Sequence, residues 1–259
     1  MKLPKEHGAW AMLYVPLVAG GLVAGSFSWR VVLIALAMTF VFIARESVLA
    51  WWRAHRRGGN KQESLQVMLI YLALAGASTA PLILISHLFW LAPLGLTAIA
   101  LLAVNAEQAA RREDRTVTGE MMAILGLTLT APTAYYVARG QWTDAALWLW
   151  ALCALYFASS VFYVKLRVYW LNRRKEQARL PARLRCALYH AFLLAALLVL
   201  AVTGSLNLFA LVAFAPVLAR SFWQLLKPAT GLNLRRIGVL EIIYSMVFLI
   251  FITLSLRFG

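Results

Sequence analysis

An adjacent arginine and glutamate, Arg45 and Glu46, stand in the last turns of an apolar run, inside the stretch FIARESVLAWWRAHRRGGNK (residues 42–61). A charged side chain at bilayer depth is costly and usually faces a bundle interior or an aqueous cavity. Helical spacing places Glu46 and Arg53 on one face of this segment, with Arg45 about 100° away. His55 follows without a second His or Cys at ligand spacing, so we predict no metal site here.

Acid–base or nucleophilic chemistry would depend on few side chains, because only ten residues of the chain are acidic. Glu46 and Glu241 stand inside predicted spans, and His7, a residue type suited to acid–base chemistry, directly precedes the first one. These three are the candidate catalytic residues. We expect them, with Glu107 and Glu120, toward one end of the helices. The alternative is that the carboxylates are interfacial and paired with neighbouring arginines.

Two basic segments offer binding chemistry for anions. The loop QAARREDRTVTGE (residues 108–120) either presents Arg111 and Arg112 to a phosphate or carboxylate, or is a solvated loop with internal ion pairs. The longer stretch VKLRVYWLNRRKEQARLPARLR is attracted to anionic lipid, and its Lys165 and Arg167 are near enough to the bilayer to reach a cavity. The predicted ligand-binding residues are Arg45, Glu46, Arg53, Arg111, Arg112, Glu120, Lys165 and Arg167.

The elements that position these residues are apolar helices. Of the 259 residues 63% are apolar and 14% charged, whereas soluble domains are about 45–50% apolar and about 25% charged. The apolar residues form runs of the length that crosses a bilayer as helix. We therefore predict an all-α polytopic membrane protein, one transmembrane domain over residues 1–259. Its nine spans are 9–28, 31–52, 65–85, 88–108, 119–138, 143–164, 186–204, 206–224 and 237–256.

The basic residues predict the orientation of these spans. Of 25 Lys and Arg residues, only Arg30, Arg139 and Arg257 fall on the side of the turns near 30, 87, 140 and 205. The positive-inside rule then places the N-terminus in the cytoplasm and the C-terminus outside. We expect the bacterial cytoplasmic membrane. The net charge of +15 is accounted for by the orienting loops, so we predict no nucleic-acid partner.

Two segments carry a family resemblance. KEHGAWAMLYVPLVAG at the start and RREDRTVTGE in the middle resemble the YwiC-like family of bacterial membrane proteins. That family implies a multi-pass membrane protein and no established activity.

The span layout is also similar, more remotely, to the UbiA family of intramembrane prenyltransferases. That resemblance implies nine helices, an inside N-terminus, and two acidic motifs that hold Mg²⁺ and a prenyl diphosphate. Arg45 and Glu46 stand at the Asn-Asp pair of the first motif, Asn-Asp-x-x-Asp-x-x-x-Asp, but Leu49 and Arg53 replace its later acids. At the second motif the stretch YFASSVFYVKLRVYW has no acid at all.

These departures change the chemistry that the resemblance implies. Mg²⁺ needs several hard oxygen ligands, so we expect the magnesium-dependent diphosphate site to be lost. Arg111 and Arg112 match a basic pair that contacts diphosphate in that family, and Lys165 and Arg167 stand where acids would be. What remains is a cationic pocket that binds an anionic head group, with apolar walls for a lipid tail.

The resulting functional prediction is a multi-pass membrane protein with a cytoplasm-facing polar cavity that binds an isoprenoid, a quinone-like lipid or an anionic lipid. Membrane lipids are its expected partners, and the sequence has no cofactor signature. Two alternatives remain open. One is a divergent prenyltransferase-like enzyme, and the other is a non-catalytic carrier or structural partner of a membrane complex.

Overall fold

A computed structural model describes residues 7–57, 62–171, 177–227 and 234–258 of the chain. These residues form ten helices and no strand. The helices are α1 (His7–Ala24), α2 (Trp29–Arg57), α3 (Gln62–Leu84), α4 (Leu91–Ala110), α5 (Val117–Thr128), α6 (Thr130–Arg139), α7 (Asp144–Leu171), α8 (Arg179–Val202), α9 (Leu208–Leu226) and α10 (Leu234–Phe258).

The helices have the length and apolarity of membrane spans. Within the described residues, eight segments are long and apolar enough to cross a bilayer, one of them being α5 and α6 together, and Gly8–Ala24 is a shorter apolar helix. In lipid every backbone N–H and C=O must be satisfied internally, which a helix achieves within one segment. The predicted all-α polytopic membrane fold is confirmed, and each of the nine predicted spans corresponds to a helix or to the α5–α6 pair.

The fifth span is broken at Leu129, between α5 and α6. Pro132 stands in the first turn of α6 and has no backbone N–H to donate to the carbonyl four residues earlier, which is that of Thr128. At the same place, the Thr130 hydroxyl donates a hydrogen bond to the carbonyl oxygen of Leu13 in α1, at 2.9 Å. The break therefore coincides with a side-chain contact between two helices.

Several predicted ends differ from the observed ones, because basic residues continue the helices beyond the apolar runs. The segment predicted as one long loop over 165–185 is helical from Lys165 to Leu171 and again from Arg179 onward. Likewise α2 extends to Arg57, past the predicted end at residue 52. Lys and Arg are good helix formers, so a helix can continue past the end of its apolar run.

The chain divides into two compact units, an N-terminal unit, Met1–Trp150, and a C-terminal unit, Ala151–Gly259. The prediction of one transmembrane domain stays a prediction.

In the N-terminal unit, α1 packs on α5 and α6, and α2 packs on α3, α4 and α6. The helices α1 and α6 approach each other closely at Gly20, where a Cβ atom would meet the Ala131 carbonyl oxygen and, at 2.8 Å, the Tyr135 nitrogen. A side chain at this position would therefore separate the two helices.

The C-terminal unit has an aromatic core. Tyr156, Phe214 and Phe248 are fully buried. The rings of Tyr156 and Phe248 stack at 4.0 Å between centroids, and Phe214 meets Phe248 edge-on at 5.4 Å. These contacts connect α7, α9 and α10, which also carry the polar groups of this unit described below.

Candidate functional sites

The Arg45–Glu46 pair connects α2 to α4. Arg45 Nη1 donates to Glu46 Oε1 at 2.9 Å, and Arg45 Nη2 donates to Asn105 Oδ1 at 3.2 Å. The side chains of Arg45 and Glu46 are 22% and 38% exposed, whereas Asn105 is buried. Arg45 therefore contacts a residue of another helix. Asn105, which the sequence reasoning overlooked, is that residue.

A second polar contact between the same two helices lies nearer their C-terminal ends. Trp52 Nε1 donates to Glu107 Oε2 at 3.0 Å, and Arg111 Nε donates to Glu107 Oε1 at 2.7 Å. The hydrogen bond and the charge of Glu107 raise the pKa of the exposed Arg111 guanidinium. Within the N-terminal unit, Glu46 and Glu107 thus lie in the C-terminal halves of α2 and α4.

A cavity of about 210 Å³ lies beside Arg45 in the N-terminal unit, with a mostly apolar lining from α1 to α6. Its polar lining residues are Arg45, Asn105 and three threonines. The threonines, Thr79, Thr130 and Thr133, donate their hydroxyl hydrogens to backbone carbonyls. Arg45 and Asn105 are therefore the side chains that present polar hydrogens at this cavity.

A second ion pair lies in the C-terminal unit, between Arg220 of α9 and Glu241 of α10. Ser160 of α7 bridges the two residues, since its Oγ accepts from Arg220 Nη2 at 3.1 Å and donates to Glu241 Oε2 at 2.8 Å. The side chains of Arg220 and Glu241 are 7% and 24% exposed. Glu241 was predicted to be functional, but its partners were not identified.

Arg220 could have been found from the sequence. It stands inside the predicted span 206–224, in the apolar stretch LFALVAFAPVLARSFWQLL. The rule that a charge at bilayer depth marks a functional or paired position applies to arginine as well as to carboxylates. The sequence analysis applied it to Arg45 and to the carboxylates, but not to Arg220.

A buried Ser–His contact joins α7 to α8. His190 Nδ1 lies 2.7 Å from the Cys186 carbonyl oxygen, and His190 Nε2 lies 2.8 Å from Ser159 Oγ. A carbonyl only accepts, so Nδ1 carries the hydrogen and Nε2 accepts from Ser159. Both side chains are fully buried, which leaves them no access to a substrate.

The remaining predicted residues belong to several different elements. Arg112 is exposed with a left-handed backbone (φ 61°), and Glu120 is half-buried in the first turn of α5, which Thr116 caps. Arg53 is half-buried on α2. His7 begins α1, and its side chain lies outside the described residues. The catalytic roles predicted for Glu46, Glu241 and His7 stay predictions.

Lys165 and Arg167 are both half-buried on α7. Arg167 Nη1 donates to the Tyr163 hydroxyl at 2.9 Å. Within the described ranges, no three His, Cys, Asp or Glu side chains lie close enough together to hold a metal ion. The predicted loss of a magnesium site stays a prediction, and we derive no metal chemistry.

Comparisons with known proteins give one family and two relatives. Residues 3–135 match the family described as "YwiC-like protein". The chain is 26% identical over 168 residues to "Uncharacterized protein YwiC" of Bacillus subtilis (strain 168), covering 63% of this chain and 65% of that protein.

It is also 31% identical over 155 residues to "NADH-quinone oxidoreductase subunit N 1" of Streptomyces griseus subsp. griseus, covering 54% of this chain and 33% of that protein. The chain thus spans less than two thirds of each relative. No solved structure matches, and the resemblance to the UbiA family stays a prediction.

Proposed function

This chain belongs to the YwiC-like family of membrane proteins, and we propose that its N-terminal unit binds an isoprenoid lipid with a neutral, hydrogen-bond-accepting head such as a quinone. The observation that carries the proposal is the apolar cavity whose polar hydrogens come from Arg45 and Asn105. Such a combination of apolar lining and few polar groups is typical of sites for lipid-like ligands.

The charges beside the cavity favour a neutral head over an anionic one. The guanidinium of Arg45 has the Glu46 carboxylate as its counter-ion at 2.9 Å. The pair has no net charge, so it offers hydrogen bonds without a strong attraction for an anion. A quinone carbonyl accepts such bonds, and the second relative's name also contains the word quinone.

The volume limits how much of the ligand enters. Cavities that hold drug-sized ligands are about 300–1,000 Å³, whereas this one is about 210 Å³. We therefore expect it to hold the head and the adjacent part of the tail, with the rest of the tail among the helices or in lipid.

The test is native mass spectrometry of the full chain in mild detergent, with the released lipids identified, followed by titration with a benzoquinone that carries one isoprene unit. We expect Asn105→Leu, which removes the amide without changing the charge, to weaken quinone binding about tenfold, the value of one or two hydrogen bonds.

Arg30→Gln is the matched control, because Arg30 lies at the opposite end of α2 and does not line the cavity. We expect it to bind the quinone like the parent protein. Recovery of bulk phospholipid alone, together with equal quinone binding by Asn105→Leu and Arg30→Gln, would rule out the proposal. Tighter binding of an isoprenyl phosphate than of the quinone would instead identify an anion site.

We also propose that the protein lies in the bacterial cytoplasmic membrane with its N-terminus inside, as the distribution of basic residues favours. Glu113 and Ser205 are both exposed in turns, and Cys153 and Cys186 are buried, which keeps background thiol labelling low. A membrane-impermeant maleimide should label Ser205→Cys in intact spheroplasts and Glu113→Cys only after the membrane is opened. Labelling of Glu113→Cys in intact spheroplasts, with Ser205→Cys labelled only after the membrane is opened, would indicate the opposite orientation.

A further inference from the structure

The C-terminal unit contains a larger cavity with a different chemistry. It measures about 560 Å³ and is lined by residues of α7, α9 and α10 together with Lys227, which follows α9. Three of its lining residues are cations, namely Arg167, Arg220 and Lys227. Among the lining residues that the structure describes there is no carboxylate.

Aromatic rings hold these cations in position. The Arg220 guanidinium lies over the Tyr163 ring at 4.5 Å and over the Tyr244 ring at 5.4 Å, and Arg167 lies 5.8 Å from the centroid of Tyr163. Lys227 Nζ lies 4.9 Å from the Trp223 ring. A cation over a ring face is attracted by the ring's quadrupole, and this contact uses none of the N–H hydrogens. The rings thus orient the cations without occupying their hydrogen-bond donors.

Two donors at this cavity are buried without an acceptor. Gln224 is 5% exposed, and neither its Nε2 nor Arg220 Nε hydrogen-bonds to any residue that the structure describes. A buried donor without a partner is unfavourable, and each one in a native structure calls for an explanation. A ligand that accepts hydrogen bonds would satisfy both.

The charges favour an anion as that ligand. Glu241 is the counter-ion of Arg220 and contacts it from beside the cavity. Among the residues that the structure describes at this cavity, three cations and one carboxylate leave an excess of positive charge, in contrast to the balanced Arg45–Glu46 pair of the N-terminal unit. Guanidinium groups are well suited to phosphate oxygens, because their donors form a planar fork.

From this geometry we propose that the C-terminal unit carries a binding site for a phosphate-bearing anion, either free phosphate or the phosphate head group of a membrane lipid. Arg167, Arg220 and Lys227 supply the charge, and Gln224 supplies an uncharged donor. The volume holds a phosphate and an attached organic group, which the aromatic walls would contact. This site is independent of the lipid site proposed for the N-terminal unit.

The experiment uses the full chain in mild detergent and two probes, inorganic phosphate by calorimetric titration and phosphatidylglycerol by native mass spectrometry, with phosphatidylcholine as the reference lipid. We expect Arg167→Gln and Lys227→Gln each to weaken binding about tenfold, as loss of a charge-assisted hydrogen bond should. Gln224→Leu should weaken it several-fold with no change in charge, which distinguishes a built site from general attraction to positive charge.

Arg257→Gln is the matched control, since Arg257 lies on the same α10 helix about 24 Å beyond Glu241. We expect this variant to bind both probes like the parent protein. Preferential binding of phosphatidylglycerol, displaced by phosphate, would support a lipid head group as ligand, and phosphate binding without lipid preference would support a soluble one.

The proposal fails if neither probe binds. It also fails if Arg257→Gln weakens binding as much as Arg167→Gln, or if Gln224→Leu has no effect. Lys227 is exposed at the end of α9, so its variant is expected to fold even where a variant of a buried residue does not. Binding by that variant at the parent affinity would also count against the site.

Discussion

The two units use the same ion pair, an arginine with a glutamate, in different surroundings. In the N-terminal unit the pair is formed by sequence neighbours, Arg45 and Glu46, that are 22% and 38% exposed. In the C-terminal unit Arg220 and Glu241 come from different helices, are 7% and 24% exposed, and are bridged by Ser160. The second pair is the more deeply buried, and its hydrogen bonds connect three helices, whereas those of the first pair connect two.

This difference determines what each pair contributes. A partly exposed ion pair adds about 0–1 kcal/mol to stability, whereas removal of one partner of a buried pair costs about 3–5 kcal/mol, because the other charge is left uncompensated. The cavities beside the two ion pairs also differ in charge and in the residues that form their walls. The smaller one has a balanced charge and apolar walls, and the larger one has an excess of cations and aromatic walls.

The largest expected effect is that of Arg220→Met. It leaves Glu241 without its counter-ion, so we expect a loss of about 3–5 kcal/mol of stability. The measurement is the thermal melting of the protein in detergent, together with its yield as a monodisperse peak in size-exclusion chromatography. The double variant Arg220→Met/Glu241→Leu should recover most of the loss, because no buried charge remains. A single variant that melts like the parent protein would show that the pair is not buried as described.

A smaller effect is expected at Gly20 of the N-terminal unit. In Gly20→Ala the new Cβ would meet backbone atoms of α6, and overpacking of this kind typically costs about 1–3 kcal/mol. Gly76→Ala is the matched control, because no atom lies within 4 Å of its added Cβ. Thermal melting of both variants measures the difference. If the two variants melt alike, α1 and α6 do not approach each other at Gly20.

The smallest effect is expected for Glu46→Gln. The amide keeps a hydrogen-bond acceptor for Arg45, and the pair is partly exposed, so we expect a loss below about 1 kcal/mol. Thermal melting of Glu46→Gln and Arg220→Met under the same conditions measures the two losses of stability. A loss as large as that of Arg220→Met would overturn the contrast between the two pairs. With the charge balance removed, the N-terminal cavity should also bind an anionic isoprenoid more tightly than before.

Much of the fold was predictable, because its signals are local. The apolar runs predicted the spans, and Pro132 marks the broken span. The ends of α2, α7 and α8 were less predictable, since basic residues continue a helix whose apolar run has ended. Hydropathy reports where lipid-compatible residues stop, not where backbone hydrogen bonding stops.

The candidate sites were predictable only in part. The residue types marked Arg45, Glu46 and Glu241 as charges at unusual depth, and the same rule would have marked Arg220. No local pattern identified Asn105 as the partner of Arg45, or Ser160 as the bridge between Arg220 and Glu241. Arg45 and Asn105 are 60 positions apart in the chain, as are Ser160 and Arg220.

The sequence by itself determined that this is an all-helical membrane protein, because the length and apolarity of each run are properties of that run alone. It also determined the YwiC-like family, through residues near the N-terminus and in the middle of the chain. Only the tertiary structure decided which charges are paired, which donors are buried and which side chains share a cavity. Those properties depend on the approach of helices that are distant in sequence, and on how completely each contact excludes water.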